Sequence, residues 1–563
     1  MPKRLIAGTS PGLSTILARR VRGSSGKCRA GHVGIEALEG RLLMSAGAAL
    51  HHTHGGDGHG GSTTTSSGTS TPTGGLIPVT TTGSTAPTAT AVPTPTVASG
   101  SAVAAPSATP GSVTNPIAGD VNSDGIVDMT DYNVLVVSYK KVTTGATWAT
   151  GDFNGDGAVN FADFAMMAAN FGKTGGTPVS SGGGSGTITP VASAPPSNIT
   201  WSGTLVITKG GTYTGNWQST KAGTPAISIQ TTQPVTIINS NIQSKGTLIE
   251  TDVDRADVTI KNTHGWALNP NVSGQSPGRF LNAEKFVNVD VENNTLVGTS
   301  GIEMGYYQGN GTASQTVKVL KNNALNIDGR WSDGNGGFQT GADANDYVQF
   351  AQFNQCFNMV GAEIAWNQVV NQPGMSRPED NISVFESSGT TSSPILIHDN
   401  YIQGAYAADP ANDSSFSGGG IMLSDGSTGS SSTATGNVQA FNNIIVSTSN
   451  YGIAISSGHN NSIYNNTIIS SALLPSGKKI AAENVGIYVW DSINDPNWSN
   501  NKEYGNTIGW MGPSGRNDKW IPNSANNGSD TAVSGSITLA VEQSYYSVWA
   551  MKVSTSGFTV GAT

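Results

Sequence analysis

The chain has 563 residues, of which 73 are Gly and only 12% are charged, a composition that excludes a helical globular architecture and leaves room for two to four domains. Its 28 basic and 37 acidic residues give a net charge of −9, and eight of the basic residues fall in the first 50 positions, so the remainder is acidic. That balance excludes a nucleic-acid-binding surface, and the absence of any apolar run of about 18 residues excludes a membrane-spanning helix.

Residues 1–50 are basic and end in Leu38-Glu-Gly-Arg41-Leu-Leu-Met-Ser-Ala46. They lack the apolar stretch of about 7 to 15 residues that a standard secretory signal needs. The Leu38–Ala46 segment nevertheless resembles an N-terminal motif of large exported proteins from planctomycete-like bacteria, which implies a targeting role. Residues 51–118 are dominated by Ser, Thr, Gly, Pro and Ala and cannot bury enough apolar surface to offset the entropy of folding, so they read as a linker. His51, His52, His54 and His59 within it read as part of a solvated tract rather than a metal site.

Two acidic loops follow, 32 residues apart: Asp120-Val-Asn122-Ser-Asp124-Gly125-Ile126-Val-Asp128-Met-Thr-Asp131 and Asp152-Phe-Asn154-Gly-Asp156-Gly157-Ala158-Val-Asn160-Phe-Ala-Asp163. Each places side-chain oxygens at loop positions 1, 3, 5, 9 and 12 and a glycine at position 6, with the carbonyls of Ile126 and Ala158 at position 7. A hard cation held by several oxygens at about 2.3–2.6 Å requires this alternation on a tightly curled loop, so each loop reads as a calcium site, two ions in all. Tyr132–Tyr139 and Phe164–Phe171 read as helices that begin inside the last ligand turn, the second stopped by Gly172. A loop and helix repeated in tandem, with Asp at position 12, resembles a type I dockerin over residues 119–174. The resemblance implies docking of a carbohydrate-active protein onto a cohesin-like partner outside the cell or at its surface. It assigns that contact to Met129 and Thr130 in the first repeat and Phe161 and Ala162 in the second, which depart from the Ser/Thr pairs of cellulosomal dockerins.

Residues 175–197 read as a second linker. From 198 to 563 short β-rich pieces recur, each followed by Asn and an aliphatic residue: Asn262, Asn294, Asn323, Asn367, Asn400, Asn443, Asn466 and Asn506, at spacings of 23 to 44 residues. Repetition on that scale denotes a solenoid, and alternating aliphatics with a turn Asn in each coil resemble the right-handed parallel β-helix. The chain is therefore expected to be mainly β, a right-handed parallel β-helix with a small α-helical calcium module and long linkers, the tract 528–563 capping the last coil. Cys28 and Cys356 do not read as a disulfide, Cys356 being a small buried residue.

Chemistry is densest around Arg377, Glu379 and Asp380, followed by His398 and Asp399, Asp425, and His459. The stretch around Arg377 resembles a segment of bacterial β-helix repeat proteins. Stacked coils are expected to align Arg377 or Asp380, His398, Asp425 and His459 along one groove, although a lone His on a turn is more often a hydrogen-bonded structural group and the Arg377 cluster is equally readable as a salt bridge. Two chemistries compete. A lyase needs a base for the proton α to a uronate carboxylate and a cation to stabilise the enolate-like charge, here Arg377 and a further calcium on Glu379 and Asp380. A glycoside hydrolase needs two carboxyl groups, and Asp380 with Asp425 is the pair. Gly458-His459-Asn460, with no adjacent Asp pair, departs from polygalacturonase-like hydrolases. Trp331, Trp490, Trp498, Trp510 and Trp520 suit either stacking on sugar rings or sealing the solenoid. The sequence thus points to an extracellular protein that degrades a polysaccharide as a lyase or hydrolase, against a non-catalytic glycan-binding or surface-assembly β-helix.

Overall fold

The computed structural model describes residues 117–122, 145–155, 157–159, 161–170, 187–426 and 433–563, with positions 127, 131, 134, 135, 138 and 430 between them. The expected targeting segment and linker up to residue 116, the first part of the expected second linker, Met129 and Thr130, and the expected loop ligands Asp124, Ile126, Asp128, Asp156 and Asn160 lie outside the described residues.

From Leu205 onward the chain winds a parallel β-helix with three faces. Leu205–Ile207, Gly211–Tyr213 and Asn216–Ser219 make the first coil, and Ile227–Ile229 returns beside the first strand. Among the described residues successive coils extend sheet 1 to eleven strands, sheet 2 to ten and sheet 3 to twelve. The right-handed sense is the one such parallel crossovers take. Alternation explains the strands: in Ala256–Lys261 the side chains of Ala256, Val258 and Ile260 point into the core while Asp257, Thr259 and Lys261 face outward.

The turn between sheets 2 and 3 accounts for the Asn doublets. Asn293, Lys321, Trp366, Asp399, Asn442 and Asn465 all adopt left-handed backbone, with φ between 55° and 60°. Asn, with a short side chain that hydrogen-bonds locally, tolerates this region best among residues bearing a Cβ. The following residue points inward and stacks on its counterpart in the next coil. The resulting ladder runs Asn294, Asn322, Asn367, Asn400, Asn443, Asn466, Asn506, and from Asn322 onward each Oδ1 accepts both the backbone N–H and the Nδ2 of the rung before. Two positions of the expected ladder are corrected. Asn322 rather than Asn323 is the rung, and in the coil of Asn262 the rung is Thr263, because Asn262 is itself the left-handed residue at φ 47°.

The C-terminal tract covers the last coil only with its first residues, where Thr531–Ala532 pairs in parallel with Thr507–Ile508. A helix, α2 (Leu539–Ser556), then lies against the outer face of sheet 3, where Trp549 and Tyr545 pack with Tyr401, Ile444 and Ile469. Those side chains would otherwise expose an apolar stripe, which explains why the tract runs on beyond a terminal cap. Beyond α2, Thr559–Val560 pairs in parallel with Thr187–Ile188. The last residues of the second linker are thereby built into the solenoid, with Thr189 O accepting from Asn323 Nδ2 at 2.7 Å and Ala192 O from Trp266 Nε1 at 3.2 Å.

The calcium-type module has its own core of Val121, Val127, Leu135, Phe153, Val159 and Met167. Its second helix, α1 (Phe161–Asn170), starts three residues earlier than the sequence suggested. Among the described residues no helix is long and apolar enough to cross a membrane.

Candidate functional site

Five strands of sheet 1 position the site: Gln349–Asn354, Ile382–Phe385, Gly419–Asp425, Tyr451–Ile455 and Val485–Val489. On their outer side lies a pocket of about 100 Å³ that brings together Glu379, Asp380 and Asp425 with Gln352, Tyr451 and Tyr488. The Glu379–Asp380 segment enters the sheet from a loop fastened at several points. Glu379 N donates to Val348 O at 2.8 Å, and Asn381 Nδ2 donates to Gly404 O at 2.9 Å. Buried Arg330 clamps the same loop by donating to the carbonyls of Gly374 and Met375 while its guanidinium pairs with Asp328. Gly418 must be glycine, since a Cβ there would lie 1.7 Å from the carbonyl oxygen of Glu379.

Asp380 is strongly perturbed. Burial, then the neighbouring charge of Glu379, pushes its pKa up to about 8 against the opposing hydrogen bonds of Tyr451 and Gly419, with Asp425 adding to the rise. Tyr451 Oη and Gly419 N, the latter at 2.9 Å, both donate to Oδ1. The proton held near neutral pH therefore belongs on Oδ2. Tyr451 and Tyr488 are themselves pushed far above the ordinary tyrosine value by burial and by Asp380, and in the case of Tyr488 by Asp425 as well, so neither serves as a base. Glu379 spends its oxygens on Ser417 Oγ at 2.6 Å and on Arg377 Nη1 at 3.3 Å. Arg377 is buried against the Phe416 ring, 5.2 Å from its centroid, and does not line the pocket.

Asp425 sits at the end of its strand, opposite Phe385, at a register irregularity that carries it into the pocket. The expected alignment with the two histidines is corrected. His398 belongs to sheet 2, where Nδ1 lies 2.7 Å from Asp399 and Nε2 3.0 Å from Glu363 and the ring stacks on Phe441. Burial opposes its charge, but those two acids raise its pKa to about 9, so it forms part of an ion-pair ladder. His459 lies at a turn, bridged to Gly436 and Ser499, with Nδ1 3.0 Å from Asn460 Nδ2. Coils of unequal length turn these side chains to different faces.

Nor do Glu379 and Asp380 form the further calcium site: both Glu379 oxygens and Asp380 Oδ1 already have partners, and among the described residues no group of three or more His, Cys, Asp or Glu gathers as a metal site. Sequence reasoning missed Tyr451, Tyr488 and Gln352, which share the pocket only through inter-coil register. Of the tryptophans, Trp510 seals the core, while Trp490 and Trp520 meet edge to face at 4.9 Å and pack beside Tyr451 and Tyr488. Cys356 is buried, its thiol pushed up to about 12 by burial.

In the small module the two loops superpose in their bonding. Asp131 Oδ1 accepts from Val121 N and Asn122 N at 2.8 and 3.2 Å, and Asp163 Oδ1 accepts from Phe153 N and Asn154 N at the same distances. Asp120, Asp131, Asp152 and Asp163 are buried, and no Lys or Arg occurs in residues 117–139 or 145–170. Buried carboxylates in a stretch without basic residues fit a divalent cation. Gly119 and Gly151, each just before loop position 1, take φ of 113° and 100°, and a Cβ on Gly119 would meet Val127 Cγ1 at 2.8 Å.

Residues 118–172 match the family model of the dockerin type I domain. Such modules bind calcium and occur in extracellular or cell-surface proteins. Among curated proteins none matches the chain. Among solved structures, a mannuronic acid specific polysaccharide family 6 lyase from the human gut microbiota is similar at 10% identity, covering 61% of this chain and 85% of its own, with a TM-score of 0.25.

Proposed function

We propose that the protein is an extracellular polysaccharide-degrading enzyme that hydrolyses glycosidic bonds in the sheet 1 pocket and is anchored through its dockerin module. The observation that carries the reading is the pairing of a proton-holding acid, Asp380, with a second carboxyl, Asp425, in one walled pocket. Asp380 would protonate the leaving glycosidic oxygen from Oδ2, oriented by Tyr451 and the Gly419 amide. Asp425 would serve as the second carboxyl, activating water or attacking the anomeric carbon. Hydrolysis is favoured over uronate elimination because Arg377 is withdrawn into its pair with Glu379 and, among the described residues, no Lys, Arg or His lines the pocket to hold a uronate carboxylate.

The module would hold two calcium ions, one through Asp120, Asn122, Asp124, the Ile126 carbonyl, Asp128 and Asp131, the other through Asp152, Asn154, Asp156, the Ala158 carbonyl, Asn160 and Asp163. A cohesin-like protein would be its partner. Reducing-sugar release from a polysaccharide panel, with absorbance of unsaturated uronides read in parallel, tests the reading. Hydrolytic products that vanish in Asp380→Asn and Asp425→Asn support it; unsaturated products, or no product from any glycan, overturn it.

A further inference from the structure

The pocket does not end the outer face of sheet 1. A second groove of about 450 Å³ lies toward the N-terminal coils and is lined by Lys245, Thr247, Arg279, Asn282, Glu284 and Glu303 among others. The two adjoin along the sheet, since Glu303 of the groove and Gln352 of the pocket are partners on neighbouring strands. One wall is bare backbone at Gly246 and Gly278, where the coils stack so closely that a Cβ on Gly278 would lie 1.8 Å from the Gly246 carbonyl oxygen.

We infer that this groove is a glycan subsite holding several units of an uncharged polysaccharide, so that the pocket cleaves within a chain and disfavours polyanionic ones. The inference rests on the hydrolase reading for its turnover arm. Thr247 precedes strand Ile249–Thr251 and Asp380 precedes Ile382–Phe385, four strands apart, which at about 4.8 Å per strand spans about 19 Å along the solenoid. A single sugar cannot bridge that length.

The groove's chemistry suits hydroxyl groups. Arg279 Nη2 lies 2.7 Å from Glu303, and Asn282 Nδ2 donates to Glu250 Oε1 at 2.7 Å, so donors and acceptors stand side by side as vicinal hydroxyls require. Charge on the face is predominantly acidic: with Arg279 set against Glu303 and Arg377 against Glu379, Glu284, Asp346 and Asp425 stand against Lys245. A uronate or sulfate chain laid along it would meet repulsion over its whole length.

The test measures kcat/KM of the full chain on neutral gluco-, manno-, xylo- and galacto-oligosaccharides from disaccharide to heptasaccharide. The longest members of whichever series is cleaved are expected to exceed the shortest by at least about tenfold, and Thr247→Trp, which fills the groove, to reduce that ratio about tenfold; Asn282→Ala reduces it in the same direction. A ratio near one in the native chain, or one untouched by both substitutions, overturns the subsite. Should no glycan be cleaved, the hydrolase reading fails by itself. The groove is then decided by affinity electrophoresis of the Asp380→Asn chain in neutral and in polyuronate gels. Retardation by a neutral polymer, lost on adding Thr247→Trp, supports it; no retardation by any neutral polymer, or stronger retardation by a polyuronate, overturns it.

Discussion

Asn400 shows how much of the solenoid's stability the turn ladder carries. Its side chain is fully buried. Oδ1 accepts from Asn367 N at 3.0 Å and Asn367 Nδ2 at 2.9 Å, while Nδ2 donates to Ile364 O and to Asn443 Oδ1, each at 2.9 Å. Asn400→Ala removes all four bonds, but the groups are not equally harmed. Asn443 Oδ1 still receives Asn400 N at 3.1 Å, and Asn367 Nδ2 still reaches Val319 O at 2.8 Å. The buried orphan is the Asn367 N–H, since the Ile364 carbonyl lies within the parallel ladder between Ile364 and Ile397 and keeps its strand donor. At about 1–3 kcal/mol for a buried group left unsatisfied, the expected loss is about 2 kcal/mol. A solenoid transmits such a loss mainly to its neighbours, so the coils on either side should loosen first. Urea unfolding reads the total, and hydrogen exchange at the Asn367 amide reads its place. An unchanged midpoint together with unchanged protection of that amide would refute the reasoning.

Further outcomes follow from the same geometry. Trp549→Ala should cost about 3–5 kcal/mol in thermal or urea unfolding, since it empties a fully buried site on sheet 3 and removes a hydrogen bond of 2.7 Å to the Asp399 carbonyl. Chelation of calcium should lower the melting of residues 118–172 while the β-helix transition stays in place, because the module's buried carboxylates then repel one another; superimposable scans with and without chelator would count against bound calcium. His398→Gln should leave glycan cleavage intact but alter the pH dependence of stability. The folded pKa of about 9 exceeds the unfolded value near 6.5, so the charged ring stabilises fully below about pH 6.5 and its contribution fades as pH rises through about 9. That alkaline loss should disappear from the denaturation profile of the variant.

Much of this architecture was readable in the residues themselves. The Asn doublets announce the coil turn because one member relieves left-handed backbone and the other satisfies buried polar groups, both local demands. They leave the rung ambiguous by one residue, as at Asn322 and Asn323. The Asp loops likewise carry their chemistry in their spacing. Asp380 and Asp425 were visible as carboxyls. Their convergence with Tyr451 and Tyr488 was not visible, since it depends on which residues of coils 23 to 44 residues long fall in register on sheet 1. The same ambiguity of phase placed His398 in the expected groove, whereas its ring stacks between charged and aromatic rungs of sheet 2. The course of the C-terminal tract was hidden for a related reason: what it covers is the outer face of sheet 3, an apolar surface assembled from three separate coils by Tyr401, Ile444 and Ile469.

The central claim is that Asp380 delivers a proton. The pH dependence of kcat/KM for the cleaved glycan tests it most directly. Because the folded pKa of about 8 lies far above the ordinary 3.8, Asp380 holds its proton at neutral pH and surrenders it as pH rises through about 8, so activity should fall along an alkaline limb centred there. In Asp380→Asn that limb should vanish and the rate should drop by about 10²–10⁴-fold, the range for loss of a general acid. Cleavage by Asp380→Asn at the native rate, or an unaltered alkaline limb, would contradict the account.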